Sequence, residues 1–195
     1  MTNALPAYLC AVANLAAAVA LATVLAPGTP LVDEPARVAY VRDHLGLWRA
    51  GWSLWVLAGI SLLVFYRWWS ARVGAGRGPL AIATAGFAAD LVAESVLIVV
   101  APDAPALARP AFALTGGVAN GLYSLAGALL TLRTPDLRGA FAAWTWAVWA
   151  AGAVLSAAAL LEAPLLTAAA TAVLFALFVP WCVALGRRLA RNGLI

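Results

Sequence analysis

Asp90 and Glu94 lie four residues apart in the apolar run Leu80 to Ala101, which is long enough to cross a bilayer as a helix. A spacing of four stacks the two carboxylates on one helical face. A charge at mid-membrane depth costs several kcal/mol, so such side chains face a protein interior or a wet cavity. The pair is the strongest pointer to a working site. Its chemistry would be proton transfer, or recognition of a donor on a solute. The bland alternative is a buried polar cluster that sets helix register.

Depth follows from a rise of about 1.5 Å per residue. On that scale Asn14, Asp90 and Asn120 fall near the midplane, with Glu94 about 6 Å nearer one surface. Arg49, Trp52 and Ser53 begin the second apolar segment from that same side. An Arg49–Glu94 contact is therefore expected, the guanidinium keeping Glu94 ionised. Asp90 has no cation at its depth, so its expected state is a protonated acid hydrogen-bonded to Asn14, Asn120 or Tyr123. The candidate ligand or proton site is thus Asp90, Glu94, Asn120, Asn14, Arg49, Tyr123 and Trp52. No catalytic residue is assigned beyond it.

Six apolar segments must position these residues, at about 5–26, 47–69, 80–101, 110–132, 139–161 and 165–187. Of the 195 residues 65% are hydrophobic and only 10% charged, which excludes a soluble domain. The expected fold is all-α: one polytopic six-helix transmembrane domain over residues 1–195. A short external amphipathic segment is expected at about 33–46, with Pro35 in its first turn.

All twelve basic residues are arginine. The lack of lysine excludes Schiff-base chemistry and a P-loop. The arginines stand at segment ends rather than in a patch, so no nucleic-acid partner is expected. Eight of them (Arg67, Arg72, Arg77, Arg133, Arg138, Arg187, Arg188, Arg191) fall on the side of the termini. Four (Arg37, Arg42, Arg49, Arg109) fall opposite, which places both termini in the cytoplasm and the protein in the inner (plasma) membrane as a multi-pass chain. The lone His44 cannot support a histidine-rich zinc site or bis-histidine haem, and no metal or cofactor is expected. Cys10 and Cys182, in apolar runs, read as small hydrophobes rather than as a disulfide.

Small and polar residues mark packed faces in membrane helices. Gly116, Asn120, Ser124, Gly127 and Thr131 form one stripe on the fourth segment, which reads as interior. Trp68, Trp69 and Trp181 read as an interfacial belt. Trp48, Trp52 and Trp55, and Trp144, Trp146 and Trp149, read as lipid-facing anchors or, alternatively, as the aromatic wall of a pocket. Val12-Ala13-Asn14 and Val118-Ala119-Asn120, with Trp-x-x-Trp in the second and fifth segments, suggest an inverted repeat. The third and sixth segments do not match, and coincidence is the preferred reading.

The order of parts, with Arg49-Ala50-Gly51-Trp52 opening the second span and Phe65-Tyr66-Arg67-Trp68 closing it, resembles small bacterial six-helix membrane proteins grouped as a domain of unknown function. The resemblance implies a fold and no activity. Ceramidase-like intramembrane hydrolases need three histidines and are excluded. Membrane terpene cyclases share the ingredients, carboxylates among aromatics, without matching motifs.

Three functions remain open. The first is a proton-coupled transporter or binder of a small or lipophilic solute, acting among membrane lipids. The second is an intramembrane enzyme on a lipid or isoprenoid, with Asp90 as general acid. The third is a non-catalytic scaffold. A cavity of several hundred Å³ beside Asp90 would favour the first two. A slot open sideways to lipid would select the enzyme, and a path from one face the transporter. No substrate or oligomeric state follows from the sequence.

Overall fold

The computed structural model describes residues 4–135 and 137–192. Six helices are long and apolar enough to span a membrane: Leu5–Gly28, Leu45–Val73, Gly78–Val100, Pro105–Leu132, Gly139–Leu160 and Pro164–Arg191. No strand occurs among the described residues. The expected segments are each found, with every end within five residues of its expected place.

Helix α1 (Leu5–Ala20) runs on through a π-helical turn, Leu21–Leu25, and a short 3-10 turn, Ala26–Gly28. Helix α2 (Glu34–Asp43) is the short segment expected at 33–46. Asp33 caps it by accepting from the Ala36 N–H, and Pro35 sits in the first turn where no N–H is needed. The Tyr40 hydroxyl ties α2 to the bundle by donating to the Val24 carbonyl. Helix α3 (Leu45–Val73) ends at Gly74, whose φ of 61° supplies the left-handed cap.

The third span is α4 (Gly78–Ser95) plus a π turn, Val96–Val100. The fourth is α5 (Ala108–Ala113), a π turn at Leu114–Ala119, and α6 (Asn120–Leu132). Helices α7 (Gly139–Leu160) and α8 (Pro164–Asn192) complete the bundle. Pro180 inside α8 lacks the N–H that would bond the Ala176 carbonyl.

Short connections force antiparallel neighbours. Each span packs on the next in sequence, and α8 returns to pack on α1, so the six spans form a closed ring. The closure is uneven. Along Leu5–Ala20, α1 packs closely on α8, whereas the Leu21–Leu25 turn packs mainly on α3. Leu9, Val12, Val19 and Leu57 stay more than half exposed, as lipid-facing residues must.

Two apolar cores result. One lies at the end carrying the chain termini and includes Phe65, Tyr66, Trp69, Trp149, Trp181 and Leu185. The other lies at the α2 end and includes Leu25, Trp48, Trp52, Ala93 and Leu97. The first corrects the interfacial-belt reading: Trp69 and Trp181 are fully buried, their indole N–H groups donating to Thr134 and Thr145. Trp149 is likewise interior, donating to Thr131. In so compact a chain the bundle core needs large rings, and each ring needs a hydroxyl for its N–H. Trp146 does keep an exposed face, as a lipid anchor would.

Candidate functional site

A cavity of about 660 Å³ lies inside the ring. Its mouth, at the α2 end, carries Glu34, Arg37, Arg109 and Glu162. Trp52, Trp55, Phe112 and Phe175 line its middle, and Tyr66, Trp149 and Phe178 close its inner end. Asp90 lies in the wall at mid-depth, beside Thr115 and Tyr123.

Local sequence explains how Asp90 gets there. Gly86, one turn earlier on α4, brings the helix onto the Ala119 carbonyl and Leu122, where a Cβ would sit 3.1 Å from each. That close approach carries Asp90 against the fourth span. The Thr115 and Tyr123 hydroxyls donate to its two carboxyl oxygens, the Tyr123 bond being 3.3 Å long. Thr115 does not stand out in the sequence, because the small-residue stripe beside it marks the face turned to α7. The π turn Leu114–Ala119 shifts the register there. The run Leu114-Thr115-Gly116-Gly117 beside a midplane acid was the available signal.

Two expected partners of Asp90 are engaged elsewhere. Asn14 donates its amide to the Cys10 carbonyl of its own helix. Asn120 donates to the Gly152 carbonyl and to Ser156 on α7. Both side chains still line the cavity. The Gly116-to-Thr131 stripe faces α7: Ser124 packs over Gly152, Trp149 covers Gly127, and Thr131 accepts from Trp149. The packing role expected of that stripe is thus realised, and α5–α6 presents its other face, with Thr115 and Tyr123, to Asp90. Asn14 and Asn120 also play unlike structural parts, one within its helix and one between helices.

Glu94 corrects a second expectation. It is fully buried and neither carboxyl oxygen has a hydrogen-bond partner. Arg49 instead donates Nε to the Ile98 carbonyl at 3.2 Å, one turn nearer the mouth. The guanidinium follows the freed carbonyls of the Val96–Val100 π turn and stays exposed toward the surface, where hydration costs nothing. Trp48 also donates to that turn, at the Leu97 carbonyl. One helical turn deeper on each helix, Trp52 faces the level of Glu94, and the Trp52 indole N–H is itself unpartnered. The Trp55 N–H is unpartnered as well.

At the mouth Arg109 pairs with Glu162, whose φ of 53° is a left-handed backbone that glutamate rarely adopts. Arg37 is largely buried and lies 4.0 Å from Glu34. Both mouth cations therefore stand next to an acid. The first span lines the cavity with Ala18 of α1 and with Leu21 and Ala22 of the π turn, and α8 lines it with Thr171 and Ala172.

No group of three or more metal-ligating side chains occurs among the described residues. Cys10 and Cys182 are free thiols in contact at 3.8 Å, buried near the end that carries the chain termini. Comparison with family models, with curated proteins and with solved structures returned no match.

Proposed function

We propose that this multi-pass membrane protein binds a lipophilic solute in the cavity around Asp90 and moves it across the bacterial inner membrane, coupled to protons. The observation that carries this reading is the cavity itself. Ligand sites are concave, mostly apolar and about 300–1,000 Å³, with a few convergent polar groups. About 660 Å³ of space walled by aromatic rings, with one acid held by two hydroxyls, answers that description. A scaffold would gain nothing from it, since an unfilled interior forfeits packing energy.

The arginine asymmetry turns the α2 end outward, so the charged mouth opens to the external side. Asp90 supplies an acid at a depth where no arginine lines the cavity, an arrangement suited to exchanging protons, while Glu94, one turn away, is buried behind the wall. A second reading draws on the looser packing of the Leu21–Leu25 turn against α8. A sideways opening would admit a lipid or isoprenoid, and Asp90 would then act as general acid on it.

Farnesol, an isoprenoid alcohol, serves as a neutral probe. Added to the protein in nanodiscs, it is expected to change tryptophan fluorescence saturably, because Trp52 and Trp55 line the cavity. Thr171→Trp, which fills the cavity from α8, is expected to abolish the saturable phase. Saturable binding that survives in the filled variant, or none in the wild type, would remove the reading. Chemical conversion of farnesol, lost in Asp90→Asn, would select the enzyme.

A further inference from the structure

We infer that the solute class taken by this cavity is a lipophilic organic cation, whose positive charge docks at Asp90 and displaces a proton from it. The inference rests on the cavity being a solute site, as proposed above, and adds the sign of the solute's charge.

Charge is distributed along the cavity in one sense only. Every cation in the lining belongs to the mouth: Arg37 beside Glu34, and Arg109 paired with Glu162. Below the mouth no arginine lines the wall, while Asp90 does. An anion carried to that depth would meet a carboxyl and no counter-charge, at a cost of several kcal/mol. A cation would meet a carboxylate and four rings, Trp52, Trp55, Phe112 and Phe175, whose π faces attract positive charge. These rings brace one another, Trp52 against Phe112 at 5.8 Å and Trp55 against Phe175 at 5.6 Å, so they form a fixed wall rather than loose anchors.

The two hydroxyls on Asp90 complete the argument. Thr115 and Tyr123 both donate to the carboxyl, which is how an ionised carboxylate is supported when water is excluded. With the solute absent, a proton is the positive charge left to balance this carboxyl, since no arginine lines the cavity at its depth. With a cation bound, the carboxylate form is favoured, and the proton leaves to water through the mouth. Charge in the site is conserved: one positive charge enters as one leaves. The titratable groups facing Asp90 are Glu94 on the same helix, Tyr123 on α6 and, behind Tyr123, Tyr66 on α3. Helices α1, α7 and α8 contribute only uncharged lining there: Asn14, Trp149 and Thr171.

Two ions of nearly the same shape and opposite charge test this directly. Tetraphenylphosphonium is expected to bind the protein in nanodiscs saturably, with affinity rising with pH and about one proton released per cation, read by a pH-indicator dye in weak buffer. Tetraphenylborate is expected not to bind. Asp90→Asn should weaken tetraphenylphosphonium about tenfold or more and abolish proton release, as expected for a lost charge-assisted contact. An unchanged far-UV circular dichroism spectrum and a monodisperse elution profile show that this variant still folds. The pH dependence of the wild type tests the same point without any substitution. If tetraphenylborate binds as well as tetraphenylphosphonium, or the cation binds without proton release, the inference fails while the cavity reading stands. If neither farnesol nor either ion binds, both fail.

Discussion

Three indole N–H groups in the half built on Trp69, Trp149 and Trp181 donate to Thr134, Thr131 and Thr145. In the half built on Trp48, Trp52 and Trp55, only Trp48 has a partner, and the Glu94 carboxyl beside them has none. The two halves use the same residue type in the same bundle. One is dense, with rings stacked edge and face: Trp149 lies 5.1 Å from Trp181 and Trp69 lies 5.6 Å from Trp181. The other lines the outer part of the cavity, whose inner end Tyr66, Trp149 and Phe178 of the dense half close, and is flanked by three π-helical turns, at Leu21–Leu25, Val96–Val100 and Leu114–Ala119. Unpaired polar atoms are costly inside a membrane, and helical irregularities of this kind mark functional sites. The dense half supplies rigidity. The open half gives up some of it to empty space.

The comparison breaks most readily at the large rings. Trp69→Ala should destabilise by about 3–5 kcal/mol, the range for deleting a buried aromatic. Trp55→Ala, beside existing empty space and with no hydrogen bond to lose, should cost less than half as much. Unfolding by SDS in mixed micelles reads both. Equal losses would mean that the α2 half is as tightly built as the other.

Hydrogen bonding gives the next contrast. Thr145→Val keeps the shape but leaves the Trp181 N–H without its acceptor, an expected loss of about 1–3 kcal/mol. Trp52→Phe removes an N–H that has no partner, so only its smaller ring counts against it, and it should cost less than Thr145→Val in the same titration. Close packing follows. A methyl added at Gly127 would overlap the Trp149 ring, so Gly127→Ala should cost about 1–3 kcal/mol. Gly46→Ala meets open space near the mouth and should stay within about 0.5 kcal/mol of wild type.

The smallest effect concerns Arg49 and Glu94. Because Arg49 holds the Ile98 carbonyl and not Glu94, Arg49→Gln and Glu94→Gln should add within about 0.5 kcal/mol in a double-mutant cycle. A larger coupling would restore the pairing that depth alone suggested.

Helix count and the α2 segment were legible because bilayer thickness and the Asp33-Glu34-Pro35 signal constrain short stretches of sequence. The inward stripe on the fourth span was legible for the same local reason: small residues at helical spacing permit close approach. What escaped depends on register between helices. Thr115 reaches Asp90 from within a π turn, a register that helical spacing alone does not give, and Asn14 and Asn120 were close in depth to Asp90 yet turned to other carbonyls. Trp69 and Trp181 sit at sequence positions typical of an interfacial belt, but the ring closure of α8 on α1 draws them inside. Depth is a property of one helix, and partnership is a property of two.

Thiol labelling distinguishes a reachable open half from a solid bundle most directly. In a chain carrying Cys10→Ala and Cys182→Ala, a cysteine at Ala113 stands in the cavity wall and one at Val148 stands in the fully buried dense half. A small water-soluble methanethiosulfonate reagent, applied from the α2 side, should modify Ala113→Cys quickly and be blocked by saturating farnesol, while Val148→Cys stays unmodified. Equal, slow labelling at both positions, indifferent to farnesol, would contradict the account.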